Sequence, residues 1–183
     1  MFDPKAINKE WSLFLDRDGV INQERTTYVL NVEGFAFYDG VLTAMKRFNS
    51  IFFKIIVVTN QRGVGRGMMT ENDLHSVHAR MLSGVKAAGG RIDQIYYCVT
   101  LDDEDINRKP NPGMALQAFN QFPMIDKRKT VMIGNNMSDM EFGKNAGVNT
   151  VLLTTTGTTV VLPHPLVDLQ CRSLIEFAQL LVT

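Results

Sequence analysis

Residues 13–22, LFLDRDGVIN, decide how the rest of the chain reads. An apolar run stops at two carboxylates one residue apart, Asp16 and Asp18, and a glycine follows at once. A run with no polar alternation is the pattern of a strand covered on both faces. The first such strand is SLFL at 12–15, and four more follow: KIIVVT at 54–59, QIYYCV at 94–99, TVMIG at 130–134 and TVLLT at 150–154. Helical spacing fills the intervals. Residues 41–50 place Leu42, Met45 and Phe48 on one face, and residues 71–88 do the same with Leu74, Val77, Met81, Leu82 and Val85. Thr70 is placed to cap the second of these helices, with Asp73 at its third position. Residues 114–122 and 138–146 read as two further helices, and the C-terminal stretch as a short strand and then a helix from about Ser173. The alternation predicts an α/β fold built on a doubly wound, Rossmann-like parallel sheet.

Two regions break the rhythm. Residues 19–39 show no helical period, and YVLNVEGFAFYDG at 28–40 suggests a small β-hairpin or flap. Residues 100–113, TLDDEDINRKPNPG, are polar and proline-bearing and read as a loop beside the substrate. With no repeat, linker or low-complexity tract, the expectation is a single domain over residues 1–183.

The bulk composition narrows the class. Hydrophobic residues make up 45% of 183, enough for a full core. Lys+Arg and Asp+Glu both number 19, which argues against a nucleic-acid partner or a charged membrane surface. The two cysteines, Cys98 and Cys171, form no C-x-x-C pair, so a reducing compartment fits better than a disulfide framework. The N-terminal MFDPKAINKEW has no signal-peptide core, and no apolar run approaches the ~20 residues of a membrane span. A cytoplasmic protein, monomeric or a small homo-oligomer, is expected.

Ligands of open α/β sheets bind beyond the carboxyl ends of the strands. Asp16 and Asp18 stand beyond the first strand, Thr59 and Asn60 at the end of the second, Lys109 in the loop after the third, and Asn135, Asn136 and Asp139 after the fourth. Parallel strands bring these groups to one rim. The set suits phosphoryl transfer: one carboxylate attacks phosphorus, a second exchanges protons with the leaving oxygen and with water, a lysine balances charge, and Mg²⁺ bridges oxygens. A lone D-x-D-G is common in turns. The ordered series D-x-D, T-N, K-P and G-x-x-x-x-D, each after an apolar strand, is what points to chemistry.

This series resembles the haloacid dehalogenase (HAD) superfamily of phosphatases, from Leu13 to about Leu153. FLDRDGVIN, VVTNQRGVGRG, RKPNPGM and IGNNMSDMEFGKNAG look like the motifs of the branch holding heptose 1,7-bisphosphate and histidinol-phosphate phosphatases. The resemblance implies Asp16 as nucleophile, Asp18 as general acid/base, Thr59 and Asn60 as phosphate binders and Lys109 as the charge-balancing lysine. It implies Mg²⁺ held by the Asp16 side chain, the Asp18 backbone carbonyl and the fourth motif, a flap after the first strand, and no separate cap domain. The implied substrate is a small phosphorylated metabolite, heptose 1,7-bisphosphate or a related sugar phosphate first and histidinol phosphate second. Arg66 and Arg108 are candidate substrate contacts, and Arg62 stands where the branch usually has a small residue. Gln61 and Asn22 read as loop-shaping. His75 and His78 read as surface or satisfied side chains.

The chain departs from the branch twice. The usual carboxylate after the glycine of the fourth motif is Asn135, which brings an oxygen without charge. The expectation is weaker Mg²⁺ binding, with Asp139 supplying charge, or in the extreme a phosphate-binding or regulatory domain with impaired turnover. The branch's zinc loop, C-x-H followed by C-x-C, is replaced by CVTLDDEDINRKP, so no structural zinc is expected and Cys98 reads as a core residue. The replacement loop is acidic, at Asp102, Asp103, Glu104 and Asp105, and reads either as solvated or as a cover disfavouring a second phosphate.

Overall fold

The computed structural model describes residues 2–181. Six strands form one sheet: β1 (Ser12–Leu15), β2 (Lys54–Asn60), β3 (Gln94–Cys98), β4 (Thr130–Gly134), β5 (Asn149–Leu153) and β6 (Leu169–Cys171). Their spatial order is β3-β2-β1-β4-β5-β6, and every pair is parallel. The chain lays β2 and β3 outward on one side of β1, then returns to lay β4, β5 and β6 on the other. The order therefore reverses at β1, and a crevice opens at the carboxyl ends there.

The period of two along each strand sorts the core into two layers. Leu13, Leu15, Ile55, Val57, Val131 and Ile133 face one side. They meet α1 (Val41–Ile51), α3 (Glu71–Ala87) and α6 (Leu174–Leu180) through Met45, Phe48, Val77, Met81 and Phe177. Phe14, Ile56, Val58 and Met132 face the other side, against Met114 and Ala118 of α4 (Gly113–Gln121) and Phe142 of α5 (Met137–Ala146). Cys98 is buried in this second layer. Both faces of the central strands are thus dry, which is why their sequence is apolar throughout.

The predicted elements fall within one or two residues of those observed. The differences have local causes. Residues 62–65 form a single helical turn, α2 (Arg62–Gly65), too short to leave a periodic signal. The flap is not a regular hairpin. Its arms pair only at the base, where Asn22 bridges Phe37, Gln23 N–H donates to the Ala36 carbonyl and Tyr38 N–H to that of Ile21. Beyond Gln23 the first arm turns aside, and Glu24, Arg25, Thr26, Thr27 and Tyr28 line the cleft instead of completing a ladder.

Thr70 caps α3 as expected. Its hydroxyl accepts from Asp73 N–H at 3.1 Å, and the Asp73 carboxylate accepts from Thr70 N–H at 2.8 Å. Replacing Thr70 by Ala should lower stability by about 1 kcal/mol. An unchanged urea midpoint for Thr70→Ala would show that this capping box contributes nothing.

Candidate active site

The strand tips deliver the side chains. Asp16 leaves β1, Thr59 and Asn60 end β2, Arg108 and Lys109 lie in the loop after β3, and Asn135 leaves β4 with Asp139 in the first turn of α5. Together with Asp18 and Arg66, all nine line one cleft of about 700 Å³ at the order reversal.

Lys109 is the hub. Its ammonium is buried and spends its three N–H groups on the Asp16 carboxylate at 2.9 Å, the Asp139 carboxylate at 2.6 Å and the Val58 carbonyl at 2.9 Å. Burial works against its charge, but Asp139 and Asp16 outweigh that and hold its pKa above the usual lysine value. Asn60 fixes the backbone of the lysine: its amide donates to the Lys109 carbonyl at 3.0 Å and accepts from Lys109 N–H at 3.1 Å. The Asn60 oxygen and one of its two amide N–H groups are therefore engaged with Lys109. Burial pushes the Asp16 carboxyl up to about 7, with Lys109 pulling it down and Asp139 adding to the rise. Lys109 takes Oδ1 of Asp16, and Oδ2 has no hydrogen-bond partner among the described residues.

Asp18 has the opposite environment. Arg17 Nη2 donates to both of its oxygens at 2.8 Å, and the Asn22 and Gln61 amides each add a hydrogen bond at 2.9 Å. Burial would raise its pKa, but the Arg17 charge and these four hydrogen bonds prevail and hold it below the usual range. Gln61 also donates to the Thr59 hydroxyl at 2.9 Å, which leaves that hydroxyl's own proton available to an oxygen in the cleft. Arg17 is fully buried, and its Nη1 lies 3.3 Å from His78 Nε2 on α3. Burial first, and then the Arg17 charge, press the His78 pKa down to about 3, so the ring is neutral and accepts from the guanidinium.

Asn135 lies across Gly19. Gly19 has φ +81°, and a Cβ there would fall 2.2 Å from Asn135 Nδ2, so this close approach requires glycine. Asn135 Nδ2 donates to the Glu24 carboxylate and to the Thr156 hydroxyl, both at 3.1 Å. Its Oδ1 is buried without a partner among the described residues. Asp139 is committed elsewhere, one oxygen to Lys109 and the other to Asn136 N–H at 3.1 Å in the α5 capping box.

The mouth carries the basic groups. Arg108 is buried and paired with Asp103 at 2.7 Å, so one member of the acidic loop neutralises a candidate substrate contact. Arg66 is exposed and lies over the Tyr28 ring at 5.9 Å. Arg62, the unexpected residue in its motif, also faces the cleft, with a buried Nε that has no partner.

Comparison with known proteins joins this geometry to a family. A HAD-hydrolase-like family model matches residues 106–165. Over 153 residues the chain is 39% identical to a D-glycero-alpha-D-manno-heptose-1,7-bisphosphate 7-phosphatase of Burkholderia mallei, covering 79% of this chain and 80% of that one. A phosphatase of the same name from Campylobacter jejuni is 38% identical over 145 residues, covering 79% and 83%. The chain belongs to the HAD-like hydrolases. It falls in the branch of the heptose bisphosphate phosphatases and is a phosphoric monoester hydrolase by class. The crystal structure of D,D-heptose 1,7-bisphosphate phosphatase from B. bronchiseptica, complexed with magnesium and phosphate, superposes with a TM-score of 0.83 at 25% identity, covering 92% of this chain and 96% of that one.

Sequence reasoning passed over four residues that a HAD-like site here depends on. Arg17 has no role in the sequence reading, Asn22 and Gln61 read as loop-shaping, and His78 as surface or satisfied; Arg17, Asn22 and Gln61 bond Asp18, and His78 is satisfied against Arg17. The available signal was Arg17 itself, a charge set between two site carboxylates directly after a fully buried strand.

Replacing His78 by Phe leaves Arg17 Nη1 without this acceptor and should cost about 1–3 kcal/mol at neutral pH. Because the folded His78 pKa of about 3 lies below the usual histidine value of 6.5, unfolding takes up a proton between them, and wild-type stability falls as pH drops through that window. His78→Phe lacks this loss, so the stability gap between the two proteins should narrow on acidification. Urea midpoints measured from pH 7 down to 4.5 that stay a constant distance apart would contradict it.

Proposed function

We propose that the chain is a Mg²⁺-dependent phosphomonoester hydrolase that acts on a small phosphorylated sugar, with heptose 1,7-bisphosphate as the first substrate, through an aspartyl-phosphate on Asp16. The observation that carries the reading is the buried Asp16–Lys109–Asp139 ion cluster at the tip of β1, beside the Thr59 hydroxyl. It keeps one Asp16 oxygen tied and the other open to the cleft.

The donor set fits a hard divalent cation. Among the described residues no three Asp, Glu, His or Cys side chains form a metal-binding group by themselves. Neutral oxygens must therefore complete a coordination shell, and Mg²⁺ accepts carbonyl and amide oxygens. The partnerless Asn135 Oδ1 is such an oxygen. The Asp16 carboxylate, the Asp18 backbone carbonyl and Asn135 Oδ1 would hold the ion, with Asp139 standing behind them, tied to Lys109. When bound, the ion neutralises charge on the phosphoryl and carboxylate oxygens.

The protein's own groups then divide the work. Asp16 Oδ2 attacks phosphorus, and the P–O bond to the sugar breaks. The Thr59 hydroxyl holds a phosphoryl oxygen, and the Lys109 ammonium, bonded to Asp16 and Asp139, balances charge beside it. Asp18 must first leave Arg17 and take a proton from solvent, against the low pKa its donors give it in the resting cleft, and then gives that proton to the departing alkoxide. The resulting carboxylate takes a proton from water, which attacks phosphorus and returns Asp16 and inorganic phosphate. Arg66 and Arg62 at the mouth favour a substrate with further anionic character, consistent with a bisphosphate.

The test is phosphate release from a panel including heptose 1,7-bisphosphate and histidinol phosphate, with and without Mg²⁺. Mg²⁺-dependent release, fastest from the heptose, is expected, and Asp16→Asn should abolish it while remaining folded. An active Asp16→Asn protein would refute the nucleophile, and preference for histidinol phosphate would overturn the substrate.

A further inference from the structure

The flap carboxylate Glu24 belongs to none of the motifs, yet it touches the one metal-site residue that departs from them. We propose that Glu24 is the positioning residue that makes the neutral Asn135 a cation ligand, by taking one of its amide N–H groups, keeping Oδ1 clear of protein donors and returning negative charge to that position. The inference rests on the reading of the cleft as a divalent-cation site.

The geometry supplies the reason. Both Nδ2 hydrogens of Asn135 are used, on Glu24 Oε2 and Thr156 Oγ1, each at 3.1 Å. A flipped amide would set Oδ1 against the Glu24 carboxylate, oxygen against anion, so Glu24 fixes which end of the amide faces which way. The end left over is Oδ1, on a residue only 3% exposed and with no protein donor within reach. A buried amide oxygen kept bare is costly unless something in the cleft uses it. The other carboxylates cannot replace the missing charge directly: Asp139 is tied to Lys109 and the Asn136 N–H, and Asp18 is tied to Arg17, Asn22 and Gln61. Glu24 reaches the site because the flap arm leaves its ladder after Gln23. Neighbours that orient a ligand side chain typically change metal affinity by about 10–100-fold when removed.

The experiment titrates metal-free protein with Mn²⁺, following free ion by electron paramagnetic resonance, with Mg²⁺ measured by competition. It compares wild type, Glu24→Ala, Glu24→Gln, Asn135→Asp and the double variant Glu24→Ala/Asn135→Asp. Glu24→Ala should weaken binding about tenfold. Glu24→Gln, which keeps an acceptor but loses the charge, should fall between. In the Asn135→Asp background the Glu24→Ala loss should shrink, because a carboxylate has no amide nitrogen to aim. Unchanged affinity in Glu24→Ala, or an equal loss in both backgrounds, would overturn the role of Glu24 while leaving the hydrolase reading intact. Wild-type protein that binds neither ion would overturn both. Melting temperatures of the variants separate lost binding from lost fold.

Discussion

A buried ammonium between two carboxylates is the constraint on which this molecule is built. Lys109 is 4% exposed, and a lone charge at such a depth is not tolerated. Its partners arrive from β1 and from α5, its third acceptor is a β2 carbonyl, and its backbone is clamped by Asn60 at the end of β2. Three strand tips must therefore stand in register before the charge is satisfied. The parallel sheet with its order reversed at β1 meets that demand, and the cleft is the space the same reversal leaves open.

The two aspartates one residue apart are held in opposite electrostatic states. Asp16 is pushed upward by burial and restrained by one lysine, whereas Asp18 is pulled down by Arg17 and two amides. The Arg17–His78 contact extends this control to α3, so a helix packed on the sheet shares in positioning Asp18.

The sheet was legible because buried parallel strands carry apolar residues at every position, and the core helices because Met45, Phe48, Val77 and Met81 recur at helical spacing. Asp16, Asp18, Thr59 and Lys109 were legible because each follows a strand, and topology alone brings strand ends together. The holders of Asp18 were not. Arg17 and His78 are 61 residues apart, and nothing local in either position announces their contact. Asn60 was read as a phosphate ligand from its place beside Thr59. Only the Lys109 backbone, folded back against β2, shows where its amide oxygen and one N–H group are spent. The flap read as a hairpin because its aromatic and β-branched residues favour strands, while the departure of its first arm toward the cleft depends on what that arm meets there.

The most direct test is to quench wild-type protein during turnover of heptose 1,7-bisphosphate with Mg²⁺ and map any added phosphoryl group by peptide mass spectrometry. The account predicts a phosphoryl group on the peptide containing Asp16, absent from Asp16→Asn. A phosphoryl group on another residue would contradict it.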